Sequence, residues 1–297
     1  MLTTKPVLQV IGLQVEFPTR RGPFKAVNNV SFEVMPGERL GLIGESGSGK
    51  STIALALMRL LRPPGRVVGG RTLLDCTDGS TVDLQAASEE QMRSMRLGEI
   101  AMVTQGAMNS LNPVMRIRDQ MIDAMQAHGV QHDQAGWQAR LAELLAAVNL
   151  KPEVVDLYPH QLSGGMKQRV CIAIAISLEP RLIIADEPTS ALDVVVQRRV
   201  MQTLRRVQKR IGCAVILIGH DMGLMAQFVQ RVAVMKSGQI VEMGDVRQIF
   251  SEPAHPYTRL LMHSLPSLDP HSREVFLQGS LEPEPALVQA AATAEPV

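Results

Sequence analysis

Residues 38–58 read Glu38-Arg39-Leu40-Gly41-Leu42-Ile43, then Gly44-Glu45-Ser46-Gly47-Ser48-Gly49-Lys50-Ser51, then Thr52-Ile53-Ala54-Leu55-Ala56-Leu57-Met58. The first piece has the pattern of a short buried strand and the last opens a helix. The stretch between them fits G-x-x-x-x-G-K-[ST] at every fixed position, in the strand–loop–helix context that this motif requires. Its glycines let backbone N–H groups converge on phosphate oxygens, and the helix N-terminus adds unpaired donors and the positive end of its dipole. Lys50 is placed to reach β- and γ-phosphates, and Ser51 to hold a magnesium ion. Residues 44–52 therefore predict a nucleoside triphosphate site, and the open question is what the binding drives.

Composition narrows the classes. The chain has 297 residues, 45% of them hydrophobic but only 3% aromatic, so aliphatic residues and 17 methionines must fill the core. A formal net charge of +1 gives no electrostatic footprint for nucleic acid. Cys76, Cys171 and Cys213 are odd in number and lack metal-ligand spacing, as expected of reduced thiols in a cytoplasmic protein. The N-terminal stretch alternates like a strand and lacks signal-peptide layout. The longest apolar run, Val170 to Leu178, is too short to span a bilayer, so membrane association is expected to come through a partner.

Outward from the phosphate loop, residues 7–17 and 27–34 read as strands, with turn signals from Pro18 to Pro23. Residues 62–84 suggest short antiparallel strands, 88–97 a charged helix, and Ile100 to Thr104 a strand ending at Gln105. From about 114 to 180 the pattern is helical, with Leu141, Leu144, Leu145 and Val148 on one face. Apolar runs at 182–185 and 214–219 flank a helical stretch at 194–210. That alternation predicts an α/β fold with a mostly parallel sheet and crossover helices, an antiparallel β subdomain and a helical subdomain at about 106–180. Arg231 to Gly244 reads as a hairpin turning at Ser237-Gly238. Residues 266–297 carry Pro, Ala and Glu with little periodicity and read as a mobile C-terminal extension of a domain spanning 1–265.

Two further features bear on chemistry. Leu182-Ile183-Ile184-Ala185-Asp186-Glu187 is an apolar strand ending in two carboxylates; downstream of a phosphate loop, Asp186 is placed to support magnesium and Glu187 to polarise an attacking water. Leu162-Ser163-Gly164-Gly165-Met166 precedes a helix expected to start near Lys167. Ser163 is a good helix cap, and a capped, glycine-opened helix is also an anion site. Two phosphate-seeking helix ends in one chain are hard to satisfy with one triphosphate in one subunit.

LSGGM, the Asp186-Glu187 strand, Ser190-Ala191-Leu192-Asp193 and His220, in this order, resemble the ATP-binding subunit of an ABC transporter over about residues 7–265. The resemblance implies ATP with Mg2+ and a head-to-tail pair of subunits. Each ATP would lie between one phosphate loop and the partner's Ser163, Gly164 and Gly165. It makes Gln105 the residue that senses the γ-phosphate and magnesium, His220 the γ-phosphate switch, and Asp193 a communicator across the dimer. Met166 stands where the family commonly has Gln. Phe17 is the first choice for stacking on adenine and Phe24 the alternative; either also suits a core.

More narrowly, Gln105 to Pro113 and His255-Pro256-Tyr257-Thr258-Arg259 look like the dipeptide, oligopeptide and nickel importer ATPases. Relatives there often hold an iron–sulfur cluster on C-terminal cysteines; no Cys follows Cys213, and no cluster is expected. Met108, Met115, Met121 and Met125 suit either a groove for a transmembrane partner or ordinary core packing. The implied protein is the ATPase of a prokaryotic importer of peptides or related small solutes, peripheral on the cytoplasmic face of the membrane. Its implied partners are a second ATPase subunit (a homologous heterodimer expected, a homodimer the alternative), two transmembrane permease subunits and a periplasmic or extracellular solute-binding protein. The rival is a soluble ABC ATPase acting on nucleic acid or the ribosome, which usually needs coiled-coil, zinc or duplicated-cassette insertions that this sequence lacks.

Overall fold

The structure, a computed structural model, describes residues 5–104, 110–190 and 192–263. Gln105, Met108, Ala191 and the extension 266–297 lie outside the described residues.

The central sheet is built from β3 (Arg39–Ile43), β6 (Ile100–Val103), β7 (Leu182–Asp186), β8 (Ala214–Ile218), β9 (Arg231–Lys236) and β10 (Gln239–Asp245), in the order β10-β9-β3-β8-β7-β6. All neighbours pair in parallel except β9 and β10, whose hairpin turns at Ser237 and Gly238. Strands β7 and β8 are buried throughout, as both-face coverage of a parallel sheet demands. Alternate residues serve opposite faces. Ile183, Ala185, Val215 and Leu217 join the core beneath the helices, and Leu182, Ile184, Ala214 and Ile216 join the core beneath the second sheet.

That second sheet is antiparallel: β1 (Leu8–Thr19), β2 (Gly22–Val34), β4 (Arg66–Asp75) and β5 (Thr81–Asp83), ordered β2-β1-β4-β5. Its first hairpin is longer than the prolines suggest, because Pro18 pairs opposite Pro23 and the turn is confined to Arg20 and Arg21. By Pro18, β1 has passed its last partner on β4, Arg66, so the ladder needs pairing on one side only and a missing N–H is tolerated.

Between these sheets lie α1 (Lys50–Leu57) and α2 (Glu89–Gly98), with Ser88 closing a capping box at the start of α2. The other face is covered by α3 (Ile117–Gln126), α4 (Gln134–Ala147), α5 (Gly164–Ala175), α6 (Val194–Ile211) and α7 (Met222–Phe228). Helices α8 (Val246–Ser251) and α9 (Pro256–His263) follow. The helical stretch is interrupted where the sequence pattern ran on. Asn149 adopts φ 58°, which ends α4, and short 3-10 turns occupy Pro152–Asp156 and Pro159–Gln161. Met121 and Met125 are core residues, and Met115 lines a surface cavity.

Candidate functional site

Three adjacent strands deliver the site. The phosphate loop follows β3, the acid pair ends β7, and His220 lies two residues past the end of β8, which runs between them. Neighbouring strands are about 4.8 Å apart, so the three carboxyl ends share one crevice, the usual ligand position in open α/β sheets.

The loop's glycines are required by space as well as by dihedrals. Gly44 (φ 144°) would place a Cβ 2.2 Å from the Met235 carbonyl oxygen, and Gly49 (φ 104°) would place one 2.4 Å from that of Ala26. The loop is therefore wedged between β2 and β9. Gly238, in the β9–β10 turn, donates its N–H to the Ser48 carbonyl at 3.0 Å. Lys50 is buried and donates to the carbonyls of Gly44 and Glu45, both at 2.8 Å. Burial pushes its ammonium below the usual lysine range, while the carboxylates of Glu187, Asp186 and Glu45 oppose that shift. The first turn of α1, including Ser51 and Thr52, carries N–H groups for which an α-helix has no internal acceptor.

Ser51 and Asp186 meet directly, with the hydroxyl donating to Oδ1 at 3.0 Å. Burial raises the Asp186 carboxyl above the ordinary range, the Ser51 hydrogen bond lowers it, the Glu187 charge raises it further and Lys50 lowers it. A hydroxyl and a carboxylate side by side are hard oxygen donors that suit magnesium, which is bound by one or two carboxylates plus substrate phosphates. Among the described residues, no group of three or more His, Cys, Asp or Glu would hold a metal alone.

Glu187 has φ 45°, in the left-handed region that costs a non-glycine residue about 1–2 kcal/mol. Its N–H donates to the Ile218 carbonyl at 2.9 Å, and its own carbonyl accepts from Ser190 N–H at 3.1 Å and Ser190 Oγ at 3.0 Å. These bonds hold the strained turn that follows β7. His220 Nδ1 lies 3.5 Å from Glu187 Oε1. Both line a cavity of ≈ 280 Å³ with Ser190 and Asp221; the cavity does not include the phosphate loop.

Other predicted residues stand apart. Ser163 caps α5, accepting from Met166 N–H at 3.3 Å, so the helix begins at Gly164 rather than near Lys167 and both glycines lie in its first turn. A Cβ on Gly165 would fall 2.4 Å from Val196 Cγ1, so this glycine lets α5 approach α6. Among the described residues, no hydrogen bond joins Ser163, Gly164 or Gly165 to the phosphate loop of the same chain. Asp193 caps α6 through a bond from Val196 N–H at 3.0 Å. Phe17 pairs opposite Phe24; its ring packs against Gly65, whereas Phe24 is 57% exposed.

Sequence reasoning missed one contact at the site. The Tyr257 hydroxyl, from α9, accepts a hydrogen bond from the Glu45 N–H at 3.1 Å. The signal available was the His255-Pro256-Tyr257 motif, but nothing local says which surface it meets.

Fold and site together define a phosphate-loop nucleotide-binding cassette. The sequence model of the family described as ABC transporter matches residues 27–190, and that of the oligopeptide/dipeptide transporter C-terminal region matches residues 241–290. A dipeptide transport ATP-binding protein of Haemophilus influenzae is 45% identical over 276 residues, covering 92% of this chain and 82% of that one. A glutathione import ATP-binding protein of Pectobacterium atrosepticum is 44% identical over 272 residues; 90% of this chain is covered, but the chain spans only 43% of that relative's length. Among solved structures, a dimeric bacterial ABC transporter cassette superposes with TM-score 0.69 at 25% identity, covering 81% of this chain and 99% of that one. An ABC transporter component from Clostridium perfringens gives 0.68 at 26%, covering 83% and 91%. The chain belongs to the ABC transporter family of ATP-binding proteins.

Proposed function

We propose that the chain is the ATP-hydrolysing subunit of an ABC importer that powers uptake of peptides or related small solutes through separate transmembrane subunits. The observation that supports this reading is a phosphate loop with buried Lys50, the Ser51–Asp186 pair and the Glu187–His220 pair on the same chain as the oligopeptide/dipeptide transporter C-terminal match at 241–290. Residues 1–265 form the ATP-binding unit, with 266–297 as an extension. Among the described residues no helix is long and apolar enough to cross a membrane. The subunit then acts at the cytoplasmic face through two permease subunits, and a solute-binding protein delivers the cargo.

On ATP binding, Lys50 exchanges the carbonyls of Gly44 and Glu45 for phosphate oxygens, and the amides of residues 46–52 cradle the phosphates. Magnesium supplies charge neutralisation on the phosphates when bound, and Ser51, Asp186 and Gln105 are the residues that would hold it. Phe17 stacks on adenine, with Phe24 as the alternative. Glu187 polarises the water that attacks the γ-phosphate, and His220, beside it, contacts the phosphate itself. Ser163, Gly164 and Gly165 serve the ATP of a second ATPase subunit, a homologous heterodimer being the first expectation, and Asp193 lies at that junction. Closure around ATP and reopening after hydrolysis move the permease, because ATP binds the closed state better than the open one.

Co-expression with a permease pair in membrane vesicles tests this reading. ATP-dependent accumulation of a labelled di- or oligopeptide, lost with Lys50→Ala, is expected. ATPase activity stimulated by nucleic acid, with no permease association, would overturn it in favour of the soluble alternative.

A further inference from the structure

Tyr257, on α9, reaches the nucleotide site. Tyr257 is buried, with 4% of its surface exposed, and its hydroxyl accepts the Glu45 N–H at the start of the phosphate loop, 212 residues away in sequence. The ring is held from the sheet by Lys236, at the end of β9, whose Nζ lies 4.7 Å from the ring centroid. The backbone that presents it is fixed as well. Glu242, on β10, accepts the N–H groups of Ala254 and His255 at 2.7 and 3.0 Å. Arg259 donates to the carbonyls of Pro253 and Ala254 at 3.1 and 2.7 Å. The Tyr257 N–H donates to His255 Nδ1 at 3.1 Å.

Glu45 is thereby tied at both ends of its backbone, its carbonyl by Lys50 and its amide by Tyr257. The two ties differ in fate. The Lys50 bond must break when the ammonium turns to phosphate, and the Tyr257 bond need not. The Lys236–Tyr257 contact rests on the residue next to Met235, whose carbonyl already limits Gly44.

We propose that Tyr257 is a positioning residue for nucleotide binding: its hydroxyl fixes the entry to the phosphate loop, so that the region at 241–290 acts directly on ATP affinity. This rests on the ATPase reading above. The strut stiffens the loop before nucleotide arrives, so part of the ordering cost is already met when ATP binds. The chemistry of hydrolysis, at Glu187, lies elsewhere in the crevice, so binding and not turnover should carry the effect.

Tyr257→Phe in the full chain is the test, since it keeps the ring and its Lys236 contact and removes only the hydroxyl that meets Glu45. Amide hydrogen exchange of the nucleotide-free protein should be faster in a peptide spanning residues 44–49. ATP affinity, and KM in the assembled complex, should weaken roughly three- to tenfold, with kcat and Tm close to wild type. Lys236→Met, which leaves the hydroxyl in place, should change affinity less than Tyr257→Phe. Unchanged exchange, or wild-type ATP affinity in Tyr257→Phe, overturns the proposal. Absence of ATP hydrolysis by the wild-type assembly would instead contradict the ATPase reading, and the exchange measurement would still report whether the strut exists.

Discussion

The Ser51 hydroxyl donates to Asp186 Oδ1 at 3.0 Å, joining the first turn of α1 to the end of β7 across 135 residues of sequence. The bond sets the two oxygen donors side by side, and it opposes the rise that burial imposes on the Asp186 carboxyl. Ser51→Ala should therefore raise the Mg2+ concentration for half-maximal ATPase activity by roughly tenfold or more. Titration of activity with Mg2+ at saturating ATP measures this. A wild-type Mg2+ dependence would remove Ser51 from the ligand set.

Gly44 should tolerate no side chain. A Cβ there meets the Met235 carbonyl oxygen at 2.2 Å with φ at 144°; that atom is backbone in β9 and cannot swing aside, and the Ser48 Oγ lies 3.0 Å away as well. Gly44→Ala is expected to cost about 1–3 kcal/mol of stability and to weaken ATP binding, read by thermal melts and equilibrium titration. Retention of both would show that the loop can shift away from β9.

Much of this site was legible because its parts are short and local. The strand, glycines and Lys50-Ser51 of the phosphate loop fall within twenty-one residues, 38–58, and the acid pair is joined to its own strand. The order of the sheet was less so, since crossover patterns predict parallel strands but not that β3 sits between β8 and β9. The end of α4 at Asn149 depends on one backbone dihedral, and the start of α5 at Gly164 on a cap that overrides the poor helix propensity of glycine. The Tyr257–Glu45 bond could not be read at all, because its partners lie 212 residues apart and only the tertiary fold brings them together.

Asp75 offers a test by pH. A hydrogen bond from Lys5 holds its carboxyl below the usual range, against burial that acts to raise it, and Arg181, bonded at 2.8 Å, adds to the lowering. A depressed folded-state value means that the unfolded chain takes up the proton first. The stabilisation is thus complete above the ordinary Asp value of about 3.9 and is lost as pH falls through the lower folded-state value. Asp75→Asn should lower Tm at pH 7, and its gap from wild type should narrow as melts are run from pH 5 towards pH 3. A gap that stays constant with pH would mean that the carboxylate charge contributes nothing.

The signature residues are tested by a bulky cation. Ser163 makes its described contacts around the start of α5 and none with the phosphate loop of its own chain. Ser163→Arg should therefore abolish steady-state ATPase activity in the full assembly while the isolated subunit still binds ATP with near wild-type affinity. Loss of binding in the isolated subunit would place Ser163 within its own chain's site instead.

Most directly, the account stands on Glu187 as the group that polarises water at an intact ATP site. Single-turnover hydrolysis by the assembled complex, with wild type and Glu187→Gln compared at matched ATP occupancy, isolates that step. ATP binding should be preserved in Glu187→Gln and the rate should fall by at least about a hundredfold. Hydrolysis by Glu187→Gln at the wild-type rate would contradict the account.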